Sequence, residues 1–201
     1  MGGGHMAALL SLARWLGAVN AAVLAAGRGI GVVCIALMLL IMLVQVFCRY
    51  VLGSALAWPD EAARFMMLWM TGLMAPTAFR RGGFVGIDMM LRMLPGRLVA
   101  FLTLVFLCLS ALVLWVGANI GWAEVTGFSG RFDTVSLKVP ASFDLSEWRK
   151  VPRAWMTASL AVGVTLLLAV NAELILRAMI GLFGGAGRLP DIPDATIMGA
   201  E

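Results

Sequence analysis

Four apolar stretches, each long enough to cross a bilayer, sit in this chain with almost nothing ionisable at their centres. They cover about 29–47, 62–79, 98–122 and 154–172. Roughly 20 helical residues span the hydrocarbon core, so the pattern predicts an all-α integral membrane protein with four transmembrane helices. The empty centres constrain function as well as fold. A pump, a proton-coupled exporter or a redox subunit needs carboxylates, histidines or a polar cluster at midplane, because ion passage and chemistry need charge there. Spans without such groups read as a scaffold or accessory subunit, not as an enzyme.

Composition agrees. The 201 residues are 62% hydrophobic and only 13% charged, about half the charged share of an ordinary soluble domain. The formal net charge of +4 comes from 15 basic residues against 11 acidic ones. Most of the basic residues flank the spans, where they act as topology signals, and no basic patch with interleaved aromatics points to nucleic acid. Cys34, Cys48 and Cys108 fall in or beside spans without metal-type spacing, which predicts small buried hydrophobes. The one histidine, His5, sits in Gly-Gly-Gly-His-Met, a pattern typical of a cloning junction, so residues 1–6 read as a remnant and start. The rest of the chain then has no histidine for haem, zinc or acid–base work, and no cofactor or metal is expected.

Segment 7–26 carries Leu9, Leu12, Leu16, Val19 and Val23 at three- and four-residue steps, with Arg14 and Asn20 off that stripe. It predicts an interfacial amphipathic helix, with Gly27, Gly29 and Gly31 as a flexible corner into the first span. Trp58-Pro59-Asp60-Glu61 is a helix-start signature, since proline suits the first turn and carboxylates face the positive end of the dipole. Asp60 and Arg64, four residues apart, are expected to pair. The loop after the second span carries Arg80, Arg81, Arg92 and Arg97 against Asp88 alone, which places it in the cytoplasm and gives N-in/C-in topology. Trp58, Trp122, Trp148 and Trp155 then share one interfacial face. The four-helix membrane domain covers 27–183. Its outer loop, 123–153, has strand-like alternation over Thr134–Val139 and a short interfacial helix starting at Asp144–Trp148. A flexible cytoplasmic tail of 184–201 follows.

Polar and small residues within the spans suggest packing. Gln45 and Asn119 suit interhelical hydrogen bonds, and Gly31, Gly72, Ser110 and Gly163 suit close helix approach. Met66, Met67, Met70 and Met74 read as packing material. Glu173 and Arg177 read as a salt-bridged helix end that snorkels to the interface. Arg49, Trp58, Glu61 and Arg64 form a charge cluster at the mouth of the first hairpin. Such a cluster needs partners within the chain, in lipid headgroups or in a neighbouring subunit.

Around that hairpin the sequence resembles the small membrane subunit of the tripartite ATP-independent periplasmic (TRAP) transporters. The resemblance rests on Phe47-Cys48-Arg49-Tyr50-Val51-Leu52, on Trp58-Pro59-Asp60-Glu61-Ala62-Ala63-Arg64 and Trp69, and on Arg80-Arg81-Gly82-Gly83. Ile87-Asp88 before Leu94-Pro95 and Leu137-Lys138-Val139-Pro140 extend it. Phe84 stands where the family carries a histidine, so no role of that histidine carries over. The resemblance implies a non-catalytic, multi-pass subunit of the bacterial inner membrane in a sodium-driven, organic-acid uptake system. It would brace the scaffold of a large elevator-type subunit and help dock a periplasmic binding protein. Sodium coupling would lie in the large subunit. The partners implied are that subunit, the binding protein and membrane lipids. Arg49, Trp58, Asp60, Glu61, Arg64, Arg80, Arg81 and Asp88 are the expected subunit or lipid interface. The alternative is an autonomous four-span transporter or channel working as a homo-oligomer, although the first span holds Cys34, Leu37, Met38 and Ile41 where four-span exporters carry a glutamate.

Overall fold

A computed structural model of the chain describes residues 3–54, 56, 58–81, 96–127, 132–140 and 148–182. Helix α1 runs Gly3–Tyr50, α2 Pro59–Arg80, α3 Gly96–Thr126 and α4 Ala154–Leu182, with strands β1 Asp133–Pro140 and β2 Trp148–Pro152 between α3 and α4. Asp88, Phe84, residues 144–147 and the tail 184–201 lie outside the described residues. The all-α membrane expectation holds in outline, and three of the four expected spans stand out by length and composition. Among the described residues, the helices long and apolar enough to cross a membrane are α1 over Leu9–Tyr50, α3 over Leu98–Thr126 and α4 over Ala154–Leu182. Helix α2 has the length, but Arg64, Thr71, Gly72, Pro76 and Thr77 dilute its apolar run.

The expected corner at Gly27, Gly29 and Gly31 is absent, and α1 continues through all three as one 48-residue helix. Glycine in a helix interior costs only about 1 kcal/mol relative to alanine, which packing readily offsets. A Cβ on Gly27 would lie 3.3 Å from the Leu73 carbonyl oxygen, and one on Gly31 would lie 2.8 Å from Cγ and Sδ of Met74. These two glycines therefore serve close approach to α2. Helix α1 buries Leu10, Ala13, Gly17, Asn20, Leu24, Gly27, Gly31 and Cys34, a seam with alternating three- and four-residue steps. Large apolar side chains of the expected amphipathic stripe point outward, with Leu12 49%, Val19 40% and Val23 43% exposed. In lipid, large apolar groups gain nothing by hiding, so small and polar residues take the contacts.

The described contacts divide into two units. One comprises Gly27–Met74 and Gly117–Val164. Here Gln45 Nε2 on α1 donates to Asp60 Oδ1 on α2 at 3.0 Å, while Gly27 meets Leu73 at the far end of α2, so α1 and α2 run antiparallel. Trp69 Nε1 donates to the Trp155 carbonyl at 3.1 Å, and Gly72 meets Ser159 and Gly163, so α2 and α4 run in the same direction. Gly117 against Val164 and Gly121 against Ala161 make α3 and α4 antiparallel. The Gly72–Gly163 crossing is the tightest of these. A Cβ on Gly72 would stand 2.5 Å from the Ser159 carbonyl oxygen, and one on Gly163 would stand 2.8 Å from Gly72 Cα.

The link from α1 to α2 turns at Gly53, whose φ of 63° is the left-handed conformation that glycine adopts without strain. Ser54 N–H donates back to the Cys48 carbonyl there. In the outer loop the alternating segment does form β1, paired antiparallel with β2 and irregular between Asp133 and Lys138. Thr134 Oγ1 donates to the Val151 carbonyl at 2.8 Å. Trp148, expected in a short helix, opens β2 instead, because its backbone is held opposite Pro140. Of the three cysteines only Cys34 is buried, and Cys108 is exposed on α3.

The other unit comprises Met1–Ala26, Ala75–Val116 and Thr165–Glu201. Leu10, Ala13 and Ile180 form its small apolar core, with Leu9 packed against it. Asn171, fully buried, donates to the Leu107 carbonyl at 3.0 Å and ties α4 to α3.

The glycines give a paired test. Gly72→Ala pushes a methyl into backbone and is expected to destabilise the protein by about 1–3 kcal/mol. Gly29→Ala meets open space and is expected to stabilise α1 by up to about 1 kcal/mol. Thermal unfolding of both variants in mild detergent checks this; equal midpoints would contradict the close-approach role of Gly72.

Candidate functional site

The expected Glu173–Arg177 salt bridge is present, but helix α4 continues nine residues past Glu173 before it ends at Leu182, so the pair is not a snorkelling helix end. The Glu173 side chain is 0% exposed. A carboxylate taken out of water needs its charge balanced and its lone pairs filled, and the chain supplies both. Arg80, in the last turn of α2, donates Nη2 to Oε1 at 2.7 Å and Nε to Oε2 at 3.0 Å. This two-point fork matches guanidinium to carboxylate geometry. Arg177, one turn along α4, donates Nε to Oε1 at 3.0 Å, and Asn20 of α1 donates Nδ2 to Oε2 at 2.9 Å. Both carboxylate oxygens thus accept two hydrogen bonds each, from groups on three helices.

The centre also fixes its surroundings. Arg80 Nη2 donates to the Gly17 carbonyl at 2.9 Å, and Asn20 Nδ2 reaches the Ala169 carbonyl at 3.3 Å. A Cβ on Gly17 would lie 3.0 Å from Glu173 Oε1 and 3.3 Å from Arg177 Nη2, so glycine leaves room for the charged groups. With its acceptor sites filled, Glu173 has no free lone pair to offer a passing cation. Its arrangement fastens helices together.

The residues expected at one interface fall in two places. Arg49 is exposed at the end of α1, its Cζ 6.0 Å from the Tyr50 ring centroid. Trp58 is exposed just before α2, and Glu61 is half-buried and Arg64 exposed along its first turns. The expected Asp60–Arg64 pair gives way to the Gln45–Asp60 bond, which confirms the interhelical role expected of Gln45; Asn119 is exposed on α3. These residues belong to the first unit. Arg80 instead builds the Glu173 centre at the opposite end of α2, with Arg81 half-buried beside it. Sequence reasoning missed this partnership, and with it Gly17 and Asn20. The signal was available: with alternating helix directions, the ends of α2 and α4 lie at the same depth, so Arg80 and Glu173 were natural partners. Met74 packs against Gly31, as expected of a space-filling methionine. Among the described residues no cluster of His, Cys, Asp or Glu could hold a metal ion.

Removing one partner of a buried pair leaves the other uncompensated and costs about 3–5 kcal/mol. Glu173→Gln is therefore expected to lose about 3 kcal/mol of stability. The double variant Arg80→Gln/Glu173→Gln should fall short of the summed single losses by about 1–3 kcal/mol. A double-mutant cycle on unfolding in detergent reads this coupling, and additive losses would refute it.

Comparison with known proteins gives this architecture a context. The family described as "Tripartite ATP-independent periplasmic transporters, DctQ component" matches residues 38–181. A relative from Vibrio cholerae serotype O1, the C4-dicarboxylate TRAP transporter small permease protein DctQ, is 26% identical over 141 residues. That alignment covers 65% of this chain and 61% of the relative's length. The family match runs from the middle of α1 through nearly all of α4 and takes in Gln45, Arg80, Glu173 and Arg177; the chain belongs to the DctQ component family of the TRAP transporters.

Proposed function

We propose that this chain is the small accessory membrane subunit of a sodium-driven TRAP transporter for organic acids, and that it braces the fixed scaffold of a large elevator-type subunit. The observation that carries the reading is the Glu173 centre. The most deeply buried charge in the described helices is saturated by Asn20, Arg80 and Arg177, an arrangement suited to rigidity. The lateral surface complements it. Helix α3 turns Leu98, Phe101, Val105, Leu109, Leu112, Val116 and Ile120 outward, a continuous apolar wall that lipid or a larger membrane subunit would cover.

In this reading α2 is a fourth crossing, supported by its alignment with α4 in direction and by its 22-residue length, about 33 Å at 1.5 Å per residue. The termini lie in the cytoplasm, and the β1–β2 hairpin faces the periplasm, where it helps dock the binding protein. Segment 7–26 lies at the membrane boundary with Trp15 outward. Dicarboxylates are the substrate class that the Vibrio cholerae relative's name suggests. Arg49, Trp58, Asp60, Glu61, Arg64 and Arg81 serve the contact with the large subunit or its lipids, and sodium coupling and substrate choice reside in the partners.

Purifying the tagged chain from its host's membranes in mild detergent tests the reading. A stoichiometric large polytopic partner is the expected companion, and a homo-oligomer free of any such partner would replace the accessory role with autonomous transport. Arg49→Ala and Glu61→Ala are each expected to lower complex yield or uptake about two- to fivefold, the scale of an exposed ion pair, without changing which substrate is taken. Unchanged yield and uptake in both variants would remove these residues from the interface.

A further inference from the structure

Helix α2 carries Pro76 in its interior, and that side chain is fully buried. Proline has no N–H, so the Gly72 carbonyl four residues earlier loses its helical donor. Among apolar helices a carbonyl left without a partner is costly, and proline is tolerated there where a neighbouring helix or a side chain meets the freed group. The nearby side-chain donors are committed elsewhere. Thr71 Oγ1 donates to the Met67 carbonyl at 2.9 Å, Ser159 Oγ to the Met156 carbonyl at 2.7 Å, and Trp69 Nε1 to the Trp155 carbonyl at 3.1 Å.

Gly163 of α4 stands against the freed carbonyl. A Cβ on Gly163 would lie 2.8 Å from the Gly72 oxygen. Glycine carries a hydrogen in that place, so a Cα–H bond of Gly163 points at the oxygen. The contact is reciprocal, because a Cβ on Gly72 would lie 2.5 Å from the Ser159 carbonyl oxygen, and a Cα–H bond of Gly72 points there. Such Cα–H donors to carbonyls recur at helix–helix interfaces. Gly163 and Ser159, one turn apart on α4, are both buried. The glycines of α3 differ, since Gly117 meets a methyl of Val164 and Gly121 meets Cα and Cβ of Ala161. Those contacts are packing alone.

We propose that Gly163 clamps the break that Pro76 opens in α2, its Cα–H standing in for the missing backbone N–H. Helix α2 then keeps one conformation only while it is docked on α4. Pro76 is a positioning residue in this arrangement, because it turns the Gly72 carbonyl from a bond along α2 into a bond to its neighbour. The inference concerns α2 and α4 alone and is read without any partner subunit.

The test places spin labels at Arg64→Cys and Ala78→Cys, both exposed on α2, in the full chain with its own three cysteines replaced by alanine. The labelled sites lie about 21 Å apart along the helix. A single narrow distance distribution is expected in mild detergent. Gly163→Ala should broaden it about twofold, as a proline joint released from its neighbour bends. Adding Pro76→Ala, which returns an N–H to the Gly72 carbonyl, should narrow it again. Gly121→Ala, which crowds a helix contact that involves no freed carbonyl, should leave it narrow. The fall in unfolding midpoint caused by Gly163→Ala should also be smaller by about a third or more when Pro76→Ala is present. If Gly163→Ala alone yields no folded protein, the double variant is expected to fold. An unbroadened distribution in Gly163→Ala, broadening that persists in the double variant, broadening by Gly121→Ala, equal midpoint losses with and without Pro76, or a double variant that does not fold would each overturn the proposal.

Discussion

Much of the helix packing answers to one carboxylate. Glu173 lies in an apolar helix from which water is excluded, and burying it is tolerable only with strong, charge-assisted donors on both oxygens. That requirement places the end of α2 beside α4, since the Arg80 fork reaches Glu173 only there. It also draws α1 in, because Asn20 fills the remaining lone pair and the Gly17 carbonyl accepts the spare guanidinium N–H. The local order α1–α2–α4 therefore follows from an electrostatic constraint more than from hydrophobic burial.

Elsewhere the logic of a soluble core is inverted. The helices meet through Gly27, Gly31, Gly72, Gly121 and Gly163, while leucines, valines and phenylalanines face outward. With lipid outside, burying a leucine against another helix exchanges one apolar neighbour for another, and the gain comes from close backbone approach and from polar groups that find partners.

The same inversion explains which parts of the fold were legible in the sequence. Local chemistry read well. Pro59 with Asp60 and Glu61 started α2, the alternation of Thr134–Val139 became β1, and Gly31, Gly72 and Gly163 proved to be contact positions. Pairwise geometry did not read as well. The recurring leucines and valines of segment 7–26 read as the apolar face of an interfacial helix, and the row that meets other helices is the one containing Ala13, Gly17 and Asn20. A glycine triplet signalled a bend because sequence alone does not show Leu73 and Met74 pressing on those positions. Glu173 looked like a helix end because Arg80, its neutralising partner, is 93 residues away.

The seam along α1 also limits how this segment can change in length. Its buried positions from Leu10 to Cys34 keep phase only because they advance by three and four residues in turn. Inserting one residue just after Leu24 would rotate everything before it by about 100°, carrying Gly17 and Asn20 away from the carboxylate they serve and bringing Ala18 and Ala21 into their places. A seven-residue insertion would shift the phase by only about 20° but would move the same residues about 10.5 Å along the axis. Between Leu10 and Cys34, then, this packing leaves outward-facing side chains room to vary and holds the length of the segment fixed.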